Sequence, residues 1–136
     1  MVEAFVLDTS ALMAYLEAEP GGEEVQRVLN MADSGRAAVF TSFATWTELR
    51  YIAIQEQGEG VACQIMSEMA RLPIEVVHSD RDDCDRASTL KALCRLSLAD
   101  AFVAALTQQK TARLVHKDPE FDNVPGQLEV LRLPYK

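Results

Sequence analysis

The chain opens on an apolar run, Ala4-Phe5-Val6-Leu7, that meets Asp8-Thr9-Ser10 and then a helix-like pattern. A run of this kind suits a buried strand. Ser10 to about Glu19 reads as a helix that stops before Pro20-Gly21-Gly22. From about Gly22 to Ala32, Val25, Val28, Leu29 and Ala32 make an apolar stripe opposite Glu23, Glu24, Gln26 and Arg27, so a second helix is predicted. Asp33 to Arg36 reads as a turn and Ala37 to Thr41 as a short strand. Ser42 to Gln57 is helical in pattern, with room for a break near Ala44 or Thr45, closed by Gly58 and Gly60, and Val61 to Arg71 forms the next helix, ended by Pro73. Ile74 to His78 is a β-branched strand, followed by a helix to about Leu93 and a largely apolar one from Ser97 to about Lys110. Ala112 to His116 and Leu128 to Leu133 read as the last two strands, with Asp118 to Asn123 as a loop between them. Strands separated by helices imply a parallel sheet covered by helices on its faces, an α/β fold.

Length changes this picture little: 136 residues suffice for one domain with a real core, spanning 1–136, and no repeat or linker divides it. Charge changes it more. A formal net charge of -8 argues against a plain nucleic-acid-binding module, because phosphate steering needs the opposite sign. It leaves open a nuclease whose carboxylates hold cations, since bound ions invert the local charge. Cys63, Cys84 and Cys94 form no C-x-x-C pair, and an odd count makes a poor disulfide framework. They are expected to be small, buried, reduced side chains of a cytoplasmic protein. No basic segment followed by a long apolar run opens the chain, and no stretch is apolar for long enough to span a bilayer, so no membrane association is expected.

Four acids sit beside apolar elements. Asp8 follows the first strand, Glu48 lies in Thr45-Trp46-Thr47-Glu48-Leu49, Asp100 in Ser97-Leu98-Ala99-Asp100-Ala101, and Asp118 follows the fourth strand. Each has a plain structural reading. Asp8 can simply cap the first helix, while Thr9 or Ser10 can cap that helix or steer the carboxylate. Thr45-x-x-Glu48 and Ser97-x-x-Asp100 both resemble capping boxes. Asp80, Asp82, Asp83 and Asp85 crowd a helix start and read mainly as solvated capping charge. The functional reading is that Asp8 and Asp118 emerge at the carboxyl edge of the sheet, where open α/β sheets place their sites, and that Glu48 and Asp100 point into the same cleft. Like charges gathered there raise one another's pKa values unless cations neutralise them. Oxygen donors suit Mg²⁺ or Mn²⁺, and such an ion activates water and stabilises charge on a phosphodiester.

Val6-Leu7-Asp8-Thr9-Ser10-Ala11-Leu12, Thr47-Glu48-Leu49, Leu96-Ser97-Leu98-Ala99-Asp100-Ala101 and Val115-His116-Lys117-Asp118-Pro119-Glu120-Phe121, in that order, resemble the four motifs of the PIN-domain family. Within it the chain is similar to the small ribonuclease toxins of VapC type. The resemblance covers nearly the whole chain. It implies a three-layer α/β/α sandwich around a mostly parallel sheet. It also implies Mg²⁺- or Mn²⁺-dependent endonucleolytic cutting of RNA, leaving a 5′-phosphate and a 3′-hydroxyl. It carries the metal site to Asp8, Glu48, Asp100 and Asp118, with Ser10 as a supporting polar residue and Asp122 as an outer contact. Relatives often have a hydroxyl and then a small residue before the last Asp; here His116 and Lys117 stand there. Lys117 is a candidate phosphate contact or partial neutraliser of the acids, and His116 a candidate acid, base or RNA contact whose plain reading is a structural residue. The resemblance further implies a homodimer and a cognate antitoxin. The antitoxin would lie in an apolar groove of the early helices, with Leu12, Tyr15, Leu16, Trp46, Tyr51 and Ile52 as groove or core residues.

Three other readings compete. A PIN-like scaffold that binds RNA or protein without cutting has no physical need to keep repelling acids together. A phospho-acceptor domain also carries acids at strand ends, but with different spacing and a late Lys. A Cys-His hydrolase has nothing to pair Cys63 or Cys84 with His78 or His116.

Overall fold

The computed structural model describes residues 2–117, 119–124 and 129–134. The strands are β1 (Glu3–Leu7), β2 (Ala37–Ser42), β3 (Glu75–Val77), β4 (Arg113–His116) and β5 (Glu129–Arg132). They form one sheet in the order β3-β2-β1-β4-β5, and every neighbouring pair runs parallel. Helices α1 (Thr9–Leu16), α2 (Gly22–Asp33), α3 (Phe43–Arg71), α4 (Arg81–Leu93) and α5 (Leu98–Gln109) make the connections, and Pro119–Asn123 forms a 3₁₀ turn.

The alternation of side chains along each strand sorts the core into two layers. Phe5 and Leu7 of β1, Val39 of β2 and Val115 of β4 pack with Leu12, Val25, Val28, Leu29, Leu49 and Met69 from α1, α2 and α3. Val6 and Leu114 face the other way, against Ala87, Ala101, Ala104 and Ala105 from α4 and α5. The result is a three-layer α/β/α sandwich. The largely apolar α5 fits this placement: Ala101 and Val103 to Thr107 are all buried in the second layer.

Two glycines shape the helical layers. Gly58 (φ 85, ψ 166) breaks the helical path inside α3, so two helical pieces meet at a kink where the sequence predicts two helices. Gly21 (φ 98) caps α2, and a Cβ there would stand 2.9 Å from Leu133 Cβ. Helix α1 is shorter than its pattern predicts: it ends at Leu16, and Ala18 turns left-handed (φ 51) ahead of the Pro-Gly-Gly. The cysteines are free, as expected, but their expected burial fails. Cys63 and Cys84 are exposed and Cys94 is half-buried, because each sits on a wet side of its helix or at its end rather than in the apolar stripe. Among the described residues no helix is long and apolar enough to cross a membrane.

Candidate active site

Connectivity places three helix starts at one edge. Helix α1 follows β1 directly and α3 follows β2 directly, so both begin at the carboxyl ends of the strands. Helix α5 ends three residues before β4, so its far end, at Ser97 and Leu98, also lies toward that edge. Each helix start presents unpaired backbone N–H groups and a partial positive charge.

Asp8 is the pivot. It is buried, and its own N–H donates to the Val115 carbonyl, extending the β1–β4 pairing up to the acid. Its Oδ1 accepts the Ala11 N–H at 2.8 Å, so Asp8 itself caps α1. Neither Thr9 nor Ser10 takes that role, since both already lie inside the helix. Ser10 instead steers the carboxylate: its hydroxyl lies 2.8 Å from both Asp8 oxygens and can donate to either. The same Ser10 oxygen accepts the backbone N–H of Lys117 at 2.9 Å. Capping and steering therefore coexist at one carboxylate.

Glu48 is tied to the same strand end. Thr9 Oγ1, from the residue next to Asp8, donates to Glu48 Oε1, and Tyr51 reaches Glu48 Oε2 at 3.5 Å. The capping box that Thr45-x-x-Glu48 resembles, its plain structural reading, is absent. Helix α3 starts earlier, with Ser42 accepting the Ala44 N–H at 3.1 Å, and Thr45 is buried inside the helix. Glu48 is thereby released from backbone duty. Asp100 is buried in the first turn of α5, where Ser97 Oγ accepts its N–H at 3.1 Å, the expected cap. The acids of α4 form a true capping box: Asp80 Oδ1 accepts the Asp83 N–H at 3.0 Å, and Asp83 Oδ2 accepts the Asp80 N–H at 3.1 Å.

The remaining predicted residues divide. Asp118 lies outside the described residues, as does Leu128 of the last predicted strand. His116 ends β4, fully buried, with its ring edge-on to Phe121 at 5.0 Å and its carbonyl accepting from Leu133 N. Lys117 sends its ammonium to the Pro20 carbonyl at 2.7 Å, with Glu19 at 3.9 Å. Asp122 pairs with Arg132 at the surface. Among the described residues no three His, Cys, Asp or Glu side chains stand close enough to hold an ion. The donor set at this edge is nonetheless all carboxylate oxygen, which fits a hard divalent cation rather than zinc or copper.

Two concavities adjoin α3. A groove of about 260 Å³ lies between α1 and α3, lined by Met13, Leu16, Leu49, Ile52 and Ile65 among others. Of the six predicted groove residues, Leu16 and Ile52 line it, and Leu12 is wholly core. Tyr15 and Trp46 pack half-buried on the first core layer. Tyr51 belongs to a second cleft, which also includes Glu48. Sequence reasoning missed the Thr9–Glu48 bond; its one local trace is a hydroxyl directly after the strand-end acid.

Comparison with solved structures gives the same architecture. The VapBC2 complex of Rickettsia felis, bound to a DNA fragment from its promoter, matches with a TM-score of 0.78 at 13% identity, covering 96% of this chain and 99% of that one. The DNA-bound VapBC of Salmonella typhimurium matches with a TM-score of 0.75 at 19% identity, covering 97% and 98%. VapC20 of Mycobacterium tuberculosis, a toxin that cleaves the sarcin–ricin loop, matches with a TM-score of 0.71 at 19% identity, covering 96% and 99%. At such identities the likeness establishes the fold. No curated protein matches the chain. The sequence model of the PIN domain matches residues 5–127, from the first strand to beyond the fourth-motif acid, and the chain belongs to the PIN domain family.

Proposed function

We propose that this protein is a metal-dependent endoribonuclease, the toxin of a VapBC-type toxin–antitoxin pair. The observation that carries the reading is the buried Asp8 carboxylate at a strand end, held by Ser10, with Glu48 bonded to the very next residue. A buried acid is costly to keep ionised, and capping alone asks for no second acid beside it. Asp8, Glu48, Asp100 and Asp118 would hold Mg²⁺ or Mn²⁺. When bound, the ion supplies an activated water and neutralises charge developing on the scissile phosphate. The chain's own part is to fix its donors. Ser10 limits the swing of Asp8 and anchors the backbone that leads into Asp118. Thr9 holds one oxygen of Glu48. The starts of α1, α3 and α5 at this edge favour an anionic substrate despite the acidic chain.

The groove between α1 and α3 suits an apolar segment of an antitoxin, through Met13, Leu16, Leu49 and Ile52. A homodimer belongs to the same reading, and a molecular-mass measurement giving monomer at high concentration would remove it. The central test is Asp8→Asn. Asn caps a helix about as well as Asp, so folding is retained. Cleavage of total RNA in Mn²⁺ is expected in the native protein, and to be lost with Asp8→Asn or with EDTA. Undiminished cutting by Asp8→Asn would refute the assignment.

A further inference from the structure

Thr45 is wholly buried in the first turn of α3, and among the described residues its hydroxyl has no hydrogen-bond partner. Other hydroxyls inside the helices are served locally. Thr47, Ser88, Thr89 and Thr107 each donate to the carbonyl four residues back. For Thr45 the residue four back is Thr41, which lies in β2 rather than in the helix. A hydroxyl buried without a partner is costly, because it has given up water and received nothing in return. Valine would fill nearly the same space without that cost, so packing alone does not account for a threonine here.

The contacts on either side of Thr45 show what it faces. Thr41 donates to the Leu7 carbonyl at 3.0 Å. Glu48, three residues after Thr45 and so on a neighbouring part of the same helix face, accepts from Thr9. Leu49, one turn after Thr45, packs with Leu7, Ala11 and Leu12. Thr41 and Glu48 therefore touch Leu7 and Thr9, the two residues that flank Asp8. Thr45 lies between Thr41 and Glu48, and so opposite Asp8.

We propose that Thr45 is a positioning residue of the metal site: its hydroxyl donates to the Asp8 carboxylate in the cation-loaded protein and fixes the direction of that ligand. The inference rests on the metal-dependent nuclease reading and adds to it a residue that no acid marks. Two independent observations meet here. The burial of Thr45 leaves a donor unspent, and the contacts around it set that donor opposite Asp8. An ionised carboxylate accepts about four hydrogen bonds, and the Ala11 N–H and the Ser10 hydroxyl are two of the donors to Asp8. Ligating carboxylates are themselves hydrogen-bonded, and those outer partners hold the ligand's orientation. Ser10 does this from α1, and Thr45 does it from α3, so Asp8 is gripped from two helix starts.

The test is calorimetric titration of the full-length protein with Mn²⁺, together with thermal unfolding in EDTA. Mn²⁺ affinity is expected to fall roughly tenfold to a hundredfold in Thr45→Val, the range for losing an outer partner of a ligand. Thr45→Ser keeps the donor and should recover most of that affinity. In EDTA, Thr45→Val should melt at the native temperature or above it, because a partnerless hydroxyl is exchanged for a methyl. Thr47→Val removes an exposed hydroxyl of the same helix and should bind Mn²⁺ like the native protein. A lower melting temperature for Thr45→Val in EDTA would show a merely structural hydroxyl and overturn the inference. Native Mn²⁺ affinity in Thr45→Val, or an equal loss in Thr47→Val, would overturn it too. In each of these cases the nuclease reading stands as long as the native protein binds Mn²⁺ and cuts RNA. A folded native protein that binds no Mn²⁺ would instead remove the metal reading, and this inference with it.

Discussion

Ser10 and Lys117 lie 107 residues apart, yet the hydroxyl of one accepts the backbone N–H of the other at 2.9 Å. That hydroxyl also lies 2.8 Å from both carboxylate oxygens of Asp8. One small side chain thus joins the end of β1 to the end of β4: it orients the acid that follows one strand and holds the Lys117 backbone just past the other.

Ser10→Ala removes all of these bonds and leaves a part-buried N–H without its acceptor. The expected loss is about 1–3 kcal/mol of folding stability. A urea titration should show a lower midpoint with an unchanged slope. RNA cleavage should fall by more than stability explains, because Asp8 loses its guide. An unchanged midpoint would mean that the contact is incidental.

Thr9 separates catalysis from stability. Thr9→Val keeps the shape and deletes the donor to the half-buried Glu48. Thermal unfolding should barely move. Cleavage should drop roughly tenfold to a hundredfold, the span of one hydrogen bond to a charged group. Thr9→Ser should recover most of the rate. Undiminished cleavage by Thr9→Val would show that the hydroxyl contact is incidental.

Lys117 acts here as a tether to the Pro20 carbonyl. Lys117→Met should cost about 1.5–3 kcal/mol, the worth of a hydrogen bond to a charged group, and leave the salt dependence of RNA affinity unchanged. A phosphate-binding lysine would instead reduce the logarithmic salt slope by about 0.7 for single-stranded RNA. A changed slope would restore the phosphate role that the sequence suggests.

Gly21→Ala combines left-handed backbone with a methyl placed 2.9 Å from Leu133 Cβ. A loss of about 1–3 kcal/mol is expected. Gly58→Ala, also at positive φ but with open space around it, should lose less. Equal melting temperatures for the two variants would contradict the packing argument.

Much of the fold was legible in the order of residues. The runs around Phe5 to Leu7 and Leu114 to Val115, and the stripe of Val25, Val28 and Leu29, read as strands and helix because periodicity is a local property. Asp8, Glu48 and Asp100 stood out for a similar reason: each is an acid next to apolar residues. The misreadings were also local. The spacing of Thr45 and Glu48 matched a capping box, but Ser42 started the helix one turn sooner and freed the glutamate. The cysteines looked like core by residue type, yet helix phase left two of them exposed.

The chain alone therefore settled the strand-and-helix alternation, and with it the covered parallel sheet, since hydrophobic period is written into consecutive residues. What tertiary structure decided is who holds whom at the sheet's edge: that Thr9 grips Glu48 across 39 positions, that Ser10 bridges to Lys117, and that Lys117 turns to Pro20. Those contacts depend on how strands are ordered and how far each helix start reaches. Both follow from packing the whole chain, and neither leaves a mark in the spacing of any one segment.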